Sequence, residues 1–159
     1  MAVICNTSPF QYLHQINQLH LLPALCDKVI IPPAVLNEIE TGRLAAVNLP
    51  DLSQFDWLIL RTPAGQSALP LIADLGAGES EVLMLGLELP GATVILDDLL
   101  ARRVAESLNL PLTGTLGVLM DAKRAGIIQE IRPLLNQLQA LRFRLAPNTY
   151  QAVLKLAGE

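Results

Sequence analysis

The chain has 159 residues, 52% hydrophobic and 16% charged, with two cysteines and a net charge of −4. That length fits one domain over residues 1–159, whose core is large enough to fold without a disulfide or a structural metal. The acidic balance excludes broad electrostatic attraction to nucleic acid, although it leaves room for a local basic patch around an acidic centre.

The start, MAVICNTSPF, has neither a basic n-region nor a long apolar h-region, so a cytoplasmic protein is expected. Ala2 to Cys5 reads as a buried strand. Thr7 or Ser8 is expected to cap the following helix, with Pro9 in its first turn and Phe10, Leu13 and Ile16 on its apolar side. A second short helix is expected from Leu19 to Leu25. Val29 to Ile31 is the next strand, and Pro32-Pro33 opens a helix over Ala34 to Glu40, ending before Gly42. Trp57 to Leu60 reads as a further extended piece. Gly76 and Gly78 introduce a helix from Glu79 to Leu89, whose Val82, Leu83, Leu85 and Leu87 predict burial on more than one side.

The most apolar stretch, Val82 to Leu96, is broken by Glu88 and Pro90-Gly91 and is too short to span a bilayer, so no membrane segment is expected. Thr93 to Leu96 reads as a strand running into Asp97-Asp98, and a helix through Arg102, Arg103 and Val104 follows. Leu110 to Thr113 is another short strand. Thr115 is the expected cap of a helix ending at Lys123-Arg124 before Gly126. Helices over Ile131 to Leu141 and Thr149 to Leu156 complete the chain. Strands alternating with helices predict an α/β fold, a parallel sheet of about four or five strands covered on both faces. Cys5 and Cys26 lie in apolar runs without metal-ligand spacing and are expected to be buried, reduced thiols.

Open α/β sheets bind ligands beyond the carboxyl ends of their strands. Asn6 follows the first strand directly, and Asp97 and Asp98 follow the strand from Thr93 to Leu96. Glu38 and Glu79 lie on helices that can flank the same edge. Each has a structural reading as well. Asp98 suits a helix cap and a pair with Arg102, and Glu79 and Glu81 stand where a helix dipole favours carboxylates. Glu38 suits a solvated helix face, and Asn6 suits a turn.

The segment Ile4-Cys5-Asn6-Thr7-Ser8-Pro9 resembles the opening of PIN domains, where a strand runs into an Asp followed by Thr or Ser. The runs Leu75-Gly76-Ala77-Gly78-Glu79-Ser80-Glu81 and Val94-Ile95-Leu96-Asp97-Asp98 with Ala101-Arg102 continue the resemblance. So does Thr113-Gly114-Thr115-Leu116-Gly117, followed by Ala122-Lys123 and Gly126-Ile127. The resemblance covers nearly the whole chain in element order, and it implies a PIN-like three-layer α/β/α fold. It also implies a Mg2+- or Mn2+-dependent ribonuclease, often a toxin restrained by a small antitoxin protein.

Carried over by position, the acidic centre falls on Asn6, Glu38, Glu79 and Asp97 or Asp98, both as metal ligands and as the catalytic set, with Glu81 in reserve for Glu79. Such a set makes chemical sense, because Mg2+ and Mn2+ are hard cations that prefer oxygen donors. Thr7 and Ser8 would orient the turn, and Arg102, Arg103, Lys123 or Arg124 are candidates to touch RNA phosphates. Asn6 departs from the pattern: its neutral carbonyl replaces a charged ligand and weakens divalent binding.

The alternative is a PIN-like module that binds RNA or a protein partner without hydrolysis. A nucleotide-binding domain is disfavoured, since neither G-x-x-x-x-G-K-[ST] nor G-x-G-x-x-G after the first strand is present. Gly114 and Gly117 can cradle a phosphate but read first as a helix start with small residues. His14 and His20 lack partners for zinc or nucleophilic catalysis and are expected at the surface. The apolar helices around Leu13, Leu21 and Leu134 suggest a homodimer.

Overall fold

Five short strands, Ala2–Cys5 (β1), Lys28–Ile31 (β2), Leu58–Leu60 (β3), Thr93–Ile95 (β4) and Leu112–Thr113 (β5), form one parallel sheet in the order β3-β2-β1-β4-β5. The structure is a computed structural model that describes residues 1–65 and 74–159. Successive side chains of a strand point to opposite faces, so a run buried at every position must be covered on both sides. Val3, Ile4 and Cys5 in β1, Val29, Ile30 and Ile31 in β2, and Val94 and Ile95 with Leu96 just beyond β4, are all buried, as expected of the three inner strands of the sheet. The register pairs Cys5 with Ile95, so the carboxyl ends of the two strands finish side by side.

Among the described residues the helices are Thr7–Gln15 (α1), Leu21–Leu25 (α2), Pro33–Leu44 (α3), Ala77–Glu88 (α4), Leu99–Ser107 (α5), Thr115–Arg124 (α6), Arg132–Ala140 (α7) and Pro147–Leu156 (α8). They flank the sheet as the outer layers of a three-layer α/β/α fold. Phe10, Leu13, Leu21, Leu22, Val35, Ile39, Val82, Leu83 and Leu85 reach the core at 0% exposure, so truncating one of the leucines or Ile39 to Ala would cost roughly 2–5 kcal/mol. Among the described residues no helix is long and apolar enough to cross a membrane.

Several local expectations are corrected. Asn6, not Thr7 or Ser8, is the N-cap of α1, and Gly114, not Thr115, is that of α6. α3 continues through Gly42 to Leu44, and the missing Cβ at Gly42 leaves room for the Leu49 side chain. Leu87 is exposed, so α4 is buried on fewer sides than its apolar content predicts. The end of α6 follows the prediction: Gly126 adopts a φ of 73°, which glycine tolerates without a Cβ clash. Leu13, Leu21 and Leu134 are buried within the chain itself and offer no surface to a second copy.

Both cysteines are free. Burial pushes the Cys5 thiol well above its ordinary pKa, with the Asp97 charge adding to the effect, and burial also raises that of half-buried Cys26. Neither is a ready thiolate, in keeping with structural thiols.

Candidate functional site

The sheet changes direction of growth at β1: β2 and β3 extend it one way, β4 and β5 the other. The crevice outside the carboxyl ends of β1 and β4 is therefore the switch point at which open α/β sheets bind ligands. Asn6 opens it from β1, its backbone N–H donating to the Ile95 carbonyl at 3.1 Å. Asp97 enters from β4, two residues beyond Ile95.

Asn6 stands in extended backbone at the N-cap of α1, yet its side chain makes no capping bond, although Asn is among the best capping residues. Its residue is 2% exposed, and Oδ1 is buried without a hydrogen-bond partner. Glu38 approaches from α3. One of its oxygens accepts from the Thr7 hydroxyl, and the other accepts from the Gly78 N–H at 3.1 Å. Gly78, in the first turn of α4, locates the meeting. A Cβ there would stand 2.8 and 2.9 Å from the two Glu38 oxygens and 3.0 Å from Asn6 Oδ1. A missing side chain thus leaves three oxygens around one point.

Asp97 is held separately. The Thr115 N–H donates to its Oδ1 at 2.8 Å and the Thr115 hydroxyl to its Oδ2 at 2.5 Å. Burial raises the Asp97 pKa above its ordinary value, and the two Thr115 bonds and the Arg102 charge oppose that rise without cancelling it. Arg102 Nη1 donates to the Leu96 carbonyl at 2.7 Å, which keeps the guanidinium beside this strand end.

The other predicted carboxylates stand apart. Asp98 caps α5, accepting from the Ala101 N–H at 2.9 Å, and does not pair with Arg102. Glu81 accepts from the Ala34 N–H at 2.8 Å and so ties α4 to the start of α3. Glu79, half-buried, turns back along its own helix, its Oε2 2.6 Å from where a Cβ on Gly76 would stand. Among the described residues, no three or more Asp, Glu, His and Cys side chains come close enough together to hold a metal ion.

Asn6 Oδ1 and the Glu38 carboxylate do meet. Both are oxygens of the kind a hard divalent cation takes, and a buried oxygen without a partner is what such an ion satisfies. The donor chemistry at this point therefore fits Mg2+ or Mn2+, with one carboxylate charge in place.

Of the four cations predicted to touch phosphates, Lys123 is bound to the Gln129 carbonyl at 2.6 Å and to Glu159 at 3.2 Å, and Arg124 pairs with Asp121 at 2.9 Å. Arg103 is exposed, and Arg102 alone borders Asp97. His14 meets Asn48 Oδ1 at 3.2 Å, and His20 is exposed. Two contributors escaped the sequence reading. Gly78 gave a signal, its place in a glycine-rich helix start, but one that reads as punctuation. Arg144 gave none, since only the fold brings it beside Asp97 and Arg102.

Fold and site together define a three-layer α/β/α domain with an oxygen-rich centre at the switch point of its parallel sheet. The chain belongs to the PIN-domain family: the DUF3368 family model, described as a PIN domain, matches residues 2–159. PIN domains are generally nucleases. No curated protein matches the chain.

Proposed function

We propose that this PIN domain is a Mg2+- or Mn2+-dependent phosphodiester hydrolase acting on RNA, the toxin of a toxin–antitoxin pair, with Asn6, Glu38 and Asp97 at its oxygen-rich centre and Glu79 and Asp98 outside it. The observation that carries the proposal is the buried, unpartnered Asn6 Oδ1 beside the Glu38 carboxylate. An uncompensated buried polar atom costs roughly 1–3 kcal/mol, which a ligand at that point would recover. A divalent ion held there would acidify a water and neutralise charge on the phosphoryl oxygens.

The chain's own groups have definable tasks. Thr7 and the Gly78 N–H fix the Glu38 carboxylate, so it need not reorganise when a substrate arrives. Thr115 does the same for Asp97 and leaves each carboxylate oxygen a free lone pair. Asp97, with its pKa raised by burial, is the better suited of the two to take a proton from the attacking water. Leu99 and Leu100, 59% and 39% exposed beside Asp98, give a small antitoxin an apolar foothold at the site's rim. A cytoplasmic setting belongs to the same proposal.

A second reading, a domain that binds RNA or protein without cleaving it, is favoured by the neutral Asn6 and by the dispersed Asp98, Glu79 and Glu81. Calorimetric titration with Mn2+, comparing the native chain with Glu38→Gln and with an Asp97→Ala, Glu79→Ala double variant, separates the two. Saturable binding by the native chain that is lost in a folded Glu38→Gln variant, with Mn2+-dependent cleavage of single-stranded RNA, supports the hydrolase. No binding at millimolar Mn2+ moves the function to the second reading.

A further inference from the structure

On the far side of Asp97 from Glu38 lies an open hollow of about 310 Å3, bordered by Asp97, Arg102, Gly114, Gly117, Phe143 and Arg144. Two guanidinium groups face one carboxylate there, so the hollow is locally cationic on a chain whose net charge is −4. The carboxylate is already engaged: both Asp97 oxygens accept from Thr115. Arg102 uses one N–H on the Leu96 carbonyl, and its remaining donors meet no acceptor among the described residues. Arg144 makes no ion pair or side-chain hydrogen bond with any described residue. It is the exposed, uncommitted cation of the pair.

Gly114 keeps the hollow open. A Cβ there would stand 2.8 Å from Arg102 Nη1, 2.9 Å from Asp97 Oδ1 and 3.2 Å from the Leu96 carbonyl, whose backbone cannot yield. Phe143, packed edge-on to Tyr12 at a centroid distance of 5.0 Å, gives the same hollow a fixed apolar wall. Paired guanidinium groups beside an apolar wall suit one nucleotide unit, with its phosphate on the forks and its sugar or base on the ring.

We propose that this hollow binds a backbone phosphate of single-stranded RNA through Arg102 and Arg144, one or more nucleotides from the bond presented to Asn6, Glu38 and Asp97. The site rests on the nucleic-acid part of the function proposed above, not on hydrolysis. It would fix the direction in which the strand crosses the acidic edge, because the hollow lies to the β5 side of Asp97 and Glu38 to the other.

The test is fluorescence anisotropy of a labelled ten-nucleotide RNA titrated with protein in EDTA, where divalent-dependent cleavage cannot occur. Arg144→Gln should weaken binding about tenfold at low salt and reduce the slope of log K against log salt by about 0.7, the share of one single-strand phosphate. Arg124→Gln, on an exposed arginine paired with Asp121, should do neither. Arg102→Gln should match Arg144→Gln, with a thermal melt checking that loss of the Leu96 bond leaves the fold intact. Equal binding by Arg144→Gln and Arg124→Gln, or no RNA binding by the native chain, overturns the proposal. So does Arg144-dependent capture of a polyglutamate peptide in preference to RNA, which would reassign the hollow to an acidic protein segment. Arg144-dependent binding without Mn2+-dependent cleavage would sink the hydrolase and leave the hollow standing.

Discussion

Asn6→Asp is the substitution that most directly tests the oxygen cluster at Gly78. Asn6 Oδ1 and the Glu38 oxygens all lie within 3.0 Å of one point, so the introduced carboxylate would sit no more than about 6 Å from that of Glu38. Two like charges at that separation repel by about 3 kcal/mol at an effective dielectric of 20, and by under about 1 kcal/mol at that of water. Glu38 is exposed, which favours the lower part of that range, while position 6 is 2% exposed and adds desolvation. The net expectation is a loss of about 1–3 kcal/mol at neutral pH, or roughly 3–10 °C in Tm for a chain of this size.

The pH dependence has a definite sign. Burial and Glu38 both raise the introduced group's folded pKa above its unfolded value of about 3.9. The folded variant therefore binds its proton more tightly than the unfolded chain, and its deficit against native grows as pH rises through that interval. Divalent metal reverses the effect: a ligand at a hundred times its Kd returns about 2.7 kcal/mol. Melts by differential scanning fluorimetry in EDTA and in millimolar Mn2+, between pH 4.5 and 7.5, read all three effects. A variant as stable as native in EDTA, with no larger response to Mn2+, would refute the claim that Asn6 and Glu38 share one electrostatic site.

Gly78→Ala should push Glu38 off the Gly78 N–H, lowering Mn2+ affinity several-fold by calorimetry at a stability cost of about 1 kcal/mol, the worth of one hydrogen bond. Unchanged affinity would place the ion elsewhere. Asp98→Ala should remove the α5 cap and about 1 kcal/mol of stability in urea titration, whether or not Asp98 also assists at the site. Asp97→Asn tests the raised pKa. In the native chain the folded state holds the Asp97 proton more tightly than the unfolded state, so stability is lost as pH rises from the unfolded pKa through the folded one. The amide variant should therefore gain on native as pH rises from 4 toward neutrality, and a pH-independent difference in Tm would contradict burial as the dominant influence. Cleavage of RNA by the same variant should fall by about a hundredfold or more if Asp97 takes the water's proton.

How far the site was readable depends on the range of the interactions that build it. Asn6 and Asp97 stand at or just past strand ends that the sequence marks, since a buried run followed by a polar residue ends a strand, and adjacent parallel strands bring such ends together. The capping role of Asp98 was legible for a similar reason: a cap is a bond to a residue three positions away, within the reach of local sequence. Glu38 needed more, since its partner Gly78 is 40 residues distant and their contact depends on how α3 meets α4. Nor could the sequence say that Glu81, two residues from the expected ligand Glu79, would be committed to the Ala34 amide. A carboxylate advertises its charge in the sequence but not the donor that already satisfies it. Asn6 is the instructive contrast. Its type suits a helix cap and its position is a helix cap, yet its oxygen caps nothing. Local chemistry offered that atom an easy partner and the fold withheld it, and on that unpaired oxygen the proposed ion site between Asn6 and Glu38 rests.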